Sequence, residues 1–142
     1  MNLTSGAKYL LDTNILVYSV DRQSPFYVRS KEILENGLRQ GISFAIAHQN
    51  LIEFVAVLTR GYGVERKQAL GDAQVFAARF DVIFPFPTTI ETFFQLADKQ
   101  KATYPFDLYL AATMIDNQIT RIITGNAKDF RGVGFEEVIG IE

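Results

Sequence analysis

There is no cysteine among the 142 residues, so neither a disulfide nor a thiolate metal site can form. A single histidine, His48, leaves a machine of the His-Asp-Ser type with only one candidate base. Its place beside Gln49, near a predicted helix start, suits a cap-region or surface residue. A basic excess is also missing: 14 lysines and arginines stand against 16 aspartates and glutamates, a formal net charge of −2. That weighs against a protein that merely coats nucleic acid. It weighs less against an enzyme that reaches phosphate through a bound cation, because the ion brings its own positive charge. Long hydrophobic runs are absent too, and no stretch approaches the roughly 20 apolar residues that span a bilayer. Met1 to Gly6 is polar, unlike a secretory leader. A cytoplasmic protein with no membrane segment is expected.

Hydrophobic residues make up 48% of the chain and charged residues 21%, the balance of a folded globular protein. The length suits one domain, residues 1–142, with a substantial core. Strand and helix patterns alternate. Lys8 to Leu11 reads as a strand and leads into a short helix. Ser24-Pro25 signals a helix start, and Gly41 its C-terminal cap. Ile42 to Ile46 reads as a strand, and Ala47 to Arg60 as a helix that is apolar nearly all round. Glu65 to Phe80 is a further helix, with Leu70, Ala73, Ala77 and Phe80 on one side. Val82 to Phe86 is a strand, followed by a Thr88-x-x-Glu91 capping box with Ile90, Phe93, Phe94 and Ala97 at helical spacing. Pro105 to Asn117 is a helix whose Leu108, Ala111, Ala112 and Ile115 share a face. Arg121 to Thr124 is a strand, Gly125 to Phe130 a loop or single turn, and Phe135 to Ile141 an edge strand. This order predicts an α/β fold: a central parallel sheet flanked by helices on both faces.

Four carboxylates stand out against that background. Asp12 follows the buried strand and precedes a helix, which puts it at the mouth of an open α/β sheet, where ligands bind. It would equally serve as a helix N-cap. Glu53 lies within Leu51-Ile52-Glu53-Phe54-Val55, where an isolated carboxylate is costly unless paired or metal-bound. The plainer reading is a narrow solvent stripe shared with Gln49 and Arg60. Asp107 occupies the first turn after Pro105, where the helix dipole favours an anion. Asp129 closes Thr124-Gly125-Asn126-Ala127-Lys128-Asp129-Phe130, which also reads as an ordinary turn with Gly125 allowing it to be tight.

Together these stretches resemble the PIN-domain nucleases, and within them the VapC-like toxins of toxin–antitoxin pairs. The residues that carry the resemblance are Leu11-Asp12-Thr13-Asn14-Ile15-Leu16, Glu53, Asp107-Leu108-Tyr109-Leu110-Ala111-Ala112 and Thr124 to Phe130. Asn126 stands where some members have an aspartate, which leaves Asn126 and Asp129 as alternatives for the fourth acidic position. The resemblance implies a PIN-like fold and a metal-dependent ribonuclease that hydrolyses RNA phosphodiester bonds. It implies Asp12, Glu53, Asp107 and Asp129 as catalytic residues, with Asp12, Glu53 and Asp107 holding the metal. Asn14, Thr124 and Asn126 would position substrate or water. Oxygen-only donors suit Mg²⁺ or Mn²⁺. The implied partners are an RNA substrate, a cognate antitoxin and a second copy in a homodimer. Tyr18, Phe26, Tyr27 and Tyr62, near predicted helix ends, are the apolar surface that such an antitoxin would cover.

Two other enzyme classes fit less well. An aspartyl-phosphate phosphatase with Asp12 as nucleophile wants a second Asp two residues on, where this chain has Asn14. A response-regulator receiver wants a phospho-acceptor after the third strand, and Val82 to Pro87 offers none. A non-catalytic PIN-like scaffold that binds RNA or protein is the remaining alternative, favoured only by Asn126.

Overall fold

The computed structural model describes residues 3–142. Its centre is a sheet of five parallel strands: β1 (Lys8–Leu11), β2 (Ser43–Ala47), β3 (Asp81–Ile83), β4 (Arg121–Thr124) and β5 (Glu137–Gly140). They lie in the order β3-β2-β1-β4-β5. The strands read as continuous apolar runs because both faces of the sheet are covered. Side chains alternate across it. Tyr9, Leu11, Phe44, Ile46 and Ile123 enter one core, while Leu10, Ala45, Ala47 and Ile122 enter the other.

The first core is closed by helices α1 (Thr13–Val20), α2 (Tyr27–Arg39), α3 (His48–Ala56) and α4 (Arg66–Arg79). Leu110 and Met114 of α6 (Pro105–Asp116) and Phe130 of α7 (Ala127–Phe130) enter the second. Helix α5 (Thr89–Lys99) packs against α6. The chain works outward from β1 to β2 and β3, then returns past β1 to β4 and β5. The strand order therefore reverses between β1 and β4. In open α/β sheets the crevice at the carboxyl ends of two such strands is the natural ligand site.

Several local expectations need correction. Helix α2 begins at Tyr27 instead of Pro25, because Ser24 closes a turn with its hydroxyl accepting the Phe26 N–H at 3.1 Å. The α3 helix stops at Ala56 and passes into one π turn, Val57–Gly61. In α4 the buried stripe is Ala69, Ala73 and Phe76, continued by Phe80, whereas Leu70 and Ala77 face outward. Strand β3 is shorter than Val82 to Phe86, since Pro85 and Pro87 have no N–H to extend a ladder. The Thr88–Glu91 capping box does not form. Instead the buried Thr89 hydroxyl accepts the Phe86 N–H at 2.9 Å and donates to Asp116 Oδ2 at 2.7 Å, which fastens α5 to α6. Ile90 and Phe94 consequently lie exposed, at 45% and 62%.

Phe54 is fully buried and packs edge-on against Phe76, 5.2 Å between ring centres. Phe54→Ala should lower the unfolding free energy by about 3–5 kcal/mol, read from the urea midpoint. Phe94→Ala, on the exposed side of α5, should stay within about 0.5 kcal/mol of the native chain.

Candidate metal centre

Asp12 stands at the carboxyl end of β1, its N–H donating to Ile123 O at 3.0 Å as a last rung to β4. Both of its carboxylate oxygens are engaged. Oδ1 accepts the Thr13 N–H at 2.8 Å, so Asp12 does cap α1. Oδ2 accepts the Thr124 hydroxyl at 2.7 Å, which crosses from the end of β4. The two expected roles, cap and site acid, are therefore one geometry. Burial pushes the Asp12 carboxyl up to about 6, against the pull of those two hydrogen bonds, and the charges of Glu53 and Asp129 push the same way.

Asp107 arrives from the opposite core. Pro105 opens α6, and Asp107 lies in its first turn, half-buried. Its carboxyl is also raised to about 6, by burial first and then by the charges of Asp12, Asp129 and Glu53. Among the described residues neither a cation nor a hydrogen-bond donor offsets that rise at Asp107. Glu53 and Asp129 thus lie within electrostatic reach of both Asp12 and Asp107, and Asp12 within reach of Asp107, at the point where the strand order reverses.

The remaining expected residues hold this arrangement more than they line it. The Thr124 hydroxyl, besides donating to Asp12, accepts the Asn126 N–H at 2.9 Å. Asn14 Oδ1 accepts the Gly125 N–H at 2.9 Å and ties α1 to the loop after β4. Gly125 is not in a left-handed conformation; its role is close approach, because a Cβ there would meet Asn14 Nδ2 at 3.1 Å. The Asn126 side chain is exposed, while its carbonyl accepts the Asp129 N–H at 3.0 Å and starts α7. Glu53 is half-buried, and its Oε1 accepts the Gln49 amide at 2.7 Å. His48 is exposed and lies against Phe84, as a surface residue would.

One positioning residue escaped the sequence reading. Asn50 is fully buried, its Oδ1 accepting the Ala47 N–H at 2.9 Å and its Nδ2 donating to Thr13 Oγ1 at 3.0 Å. It welds the start of α3, which carries Glu53, to the start of α1, which Asp12 caps. An asparagine inside an otherwise apolar run was the available signal, since buried amides must find partners.

Among the described residues no three acidic or histidine side chains are gathered tightly enough to enclose an ion unaided. The donor set is nevertheless the right one for a hard, hydrated cation. It is all oxygen, like charges raise both Asp12 and Asp107, and Mg²⁺ usually keeps several waters while touching one or two carboxylates. No helix of the described residues is long and apolar enough to cross a membrane.

The solved structures similar to this one share its fold at low identity. VapBC2 of Rickettsia felis, bound to a DNA fragment from its promoter, is 20% identical with a TM-score of 0.72, over 95% of this chain and 99% of that one. VapBC-1 of nontypeable Haemophilus influenzae is 19% identical with a TM-score of 0.71, over 94% and 97%. VapC20 of Mycobacterium tuberculosis, a sarcin–ricin loop cleaving toxin, is 17% identical with a TM-score of 0.70, over 89% and 95%. No curated protein matches the sequence. Residues 9–136 match the model of the PIN domain, and with a match over nearly its whole length the chain belongs to the PIN domain family.

Proposed function

We propose that this protein is a divalent-metal-dependent endoribonuclease of the cytoplasm and the toxin of a toxin–antitoxin pair. The observation that carries the reading is that Asp12 and Asp107, from opposite faces of the sheet at the strand-order reversal, each feel the like charges of Glu53 and Asp129. A Mg²⁺ or Mn²⁺ ion in such a site supplies charge neutralisation for a phosphodiester and makes water a stronger nucleophile at neutral pH. Asp12 and Asp107 would hold the ion, with Glu53 bound directly or through water. Asp129 adds the fourth negative charge, three residues from the uncharged Asn126. Thr124 keeps the Asp12 carboxylate aimed, and Asn14 fixes the loop that presents Asn126 and Asp129. Asn126, with its side chain exposed, is free to meet substrate or water. The three similar structures described above, two of them VapBC structures and one a sarcin–ricin loop cleaving toxin, support the toxin reading.

The partner reading rests on exposed apolar surface, and its location differs from the expected one. Tyr62 is 49% exposed, but Tyr18, Phe26 and Tyr27 are half-buried. The larger apolar exposure lies at Ile52, Phe84, Phe86, Tyr104 and Phe106, around the edge strand β3 and the starts of α3 and α6. Surface of that kind suits an antitoxin segment and a homodimer contact.

Three outcomes test the proposal. Purified protein should cut RNA with Mg²⁺ or Mn²⁺ and not with EDTA, and either ion should raise the melting temperature by linkage. Asp12→Asn should abolish both effects. Cleavage that persists in EDTA would remove the metal from the mechanism, and no cleavage under any condition would leave a scaffold.

The second outcome is a pH dependence. Asp12 and Asp107 hold protons more tightly in the folded chain than in the unfolded one. Stability from this source is therefore full below the ordinary value of 3.8 and lost as pH rises through about 6. For the buried Asp12 the change is on the order of 3 kcal/mol. In EDTA the melting temperature should fall by roughly 5–10 °C between about pH 4 and pH 7 relative to Asp12→Asn. Stabilisation by Mn²⁺ should run the opposite way, weak below pH 6 and strong above it, because the ion needs ionised carboxylates.

The third separates Asp129 from Asn126. Asp129→Asn should lower cleavage strongly, with partial recovery at higher Mn²⁺, and Asn126→Asp should be tolerated or tighten the metal. An active Asp129→Asn beside a dead Asn126→Ala would reduce the site to three carboxylates.

A further inference from the structure

Glu53 and Asp107 belong to helices that hardly pack on each other. Between α3 and α6 lies an apolar cavity of about 340 Å³, walled by His48, Gln49, Ile52 and Glu53 on one side and by Phe106, Tyr109 and Thr113 on the other. Van der Waals contact across this gap is too sparse to set the spacing of two carboxylates. One side chain does span it. Gln49 Nε2 donates to Glu53 Oε1 at 2.7 Å and to the carbonyl of Phe106 at 3.1 Å.

Both contacts have a clear logic. Gln49 and Glu53 are four residues apart on one helix, so their side chains share a face. Phe106 immediately precedes Asp107 in the first turn of α6, so its carbonyl moves as one body with the Asp107 backbone. Two acceptors facing the same atom also settle the orientation of the amide, since only the NH₂ end can donate. That orientation leaves Gln49 Oε1 buried without a partner. An amide that strands its own oxygen to serve two acceptors is held there by what it joins. Asn50, the next residue, anchors the same helix end to Asp12 through Thr13, so the start of α3 has fixed links to both halves of the site.

We infer that Gln49 is a positioning residue of the acidic site, a strut that sets Glu53 against Asp107 across the α3–α6 cavity through Nε2. The inference rests on the metal-site reading above. Gln49 itself touches no reacting atom; it acts through the carboxylate that it orients and through the backbone that carries the other. Losing such an outer partner typically weakens a metal site by ~10–100-fold.

The test is Mn²⁺ binding by calorimetry, with the Mn²⁺ magnetic-resonance spectrum as a second readout, on native protein, Gln49→Leu, Gln49→Ala, Glu53→Gln and the Gln49→Leu/Glu53→Gln pair. Gln49→Leu keeps the bulk and removes the donor. It should bind Mn²⁺ about tenfold or more weakly, with a changed spectrum and an unchanged melting temperature in EDTA. RNA turnover should lose kcat at fixed Mn²⁺ with little change in KM, and part of the loss should return at saturating ion. In the Glu53→Gln background Gln49→Leu should cost little further, because the two act as a unit. Native-like Mn²⁺ binding by both Gln49 variants, beside a native protein that does bind, overturns the strut and leaves the metal site standing. A native protein that binds no Mn²⁺ overturns both.

Discussion

The hydrogen bond from the Thr124 hydroxyl to Asp12 is the contact on which this molecule turns. It joins the carboxyl ends of β1 and β4, the two strands between which the chain reverses its direction of growth across the sheet. Strands on either side of such a point send their helices to opposite faces, which opens a crevice that no backbone bridges. Asp12 lies buried at the floor of that crevice, with one oxygen on the helix it caps and the other on the neighbouring strand. A carboxylate so placed has a fixed position and a strong field, and the residues above it have been arranged around that field.

The arrangement costs stability. Asp12 is driven towards protonation by burial, with Glu53 and Asp129 adding like charge, and Asp107 is driven the same way by burial and the charges of Asp12, Asp129 and Glu53. Two apolar cores offset that strain, one on each face of the sheet, with Tyr9, Phe54 and Phe130 among the largest wholly buried side chains. The polar struts Thr13–Asn50, Asn14–Gly125 and Gln49–Glu53 then hold the acids where repulsion would part them. Uncompensated charge held rigid is what a cation-binding site requires before the cation arrives, and pKa values pushed from their ordinary range are a common mark of such sites.

The apolar surface follows from the same architecture. Strand β3 is an edge of three residues, cut short by Pro85 and Pro87, and the chain beyond it leaves Phe84 and Phe86 in solvent. Helix α5 is fastened to α6 by Thr89 and Thr92 on Asp116 and not by a full apolar stripe, so Ile90 and Phe94 stay outside. Exposed aromatics of this number are unusual for an isolated chain. Phe84, against His48, and Phe106 and Ile52, which line the gap between α3 and α6, lie on the side of the molecule that carries Glu53.

Much of this was legible along the chain. The apolar runs of two to five residues separated by helical periods specified a parallel sheet buried on both faces, because period and run length depend only on local chemistry. Helix starts at Asp12 and Pro105 were legible for the same reason, as was the surface character of His48. The places of Asp12, Glu53, Asp107 and Asp129 at strand ends and on helices, together with the resemblance to the PIN-domain nucleases, pointed to one site, yet no local rule brings residues 95 and 117 positions apart together. That convergence was decided by the strand order, which places β4 and not β2 beside Asp12 on the crevice side. Tertiary packing also chose which face of α4 is buried, Ala69, Ala73 and Phe76 over Leu70 and Ala77, since both stripes have helical spacing and only the sheet selects between them. The capping box legible at Thr88 does not form, and this helix end is fastened instead by its neighbour Thr89 to Asp116, 27 residues away. The partners of Asn50 and Gln49 are likewise contacts between segments distant in sequence, and a hydrogen bond of that kind exists only once the fold has brought its two ends within 3 Å or so.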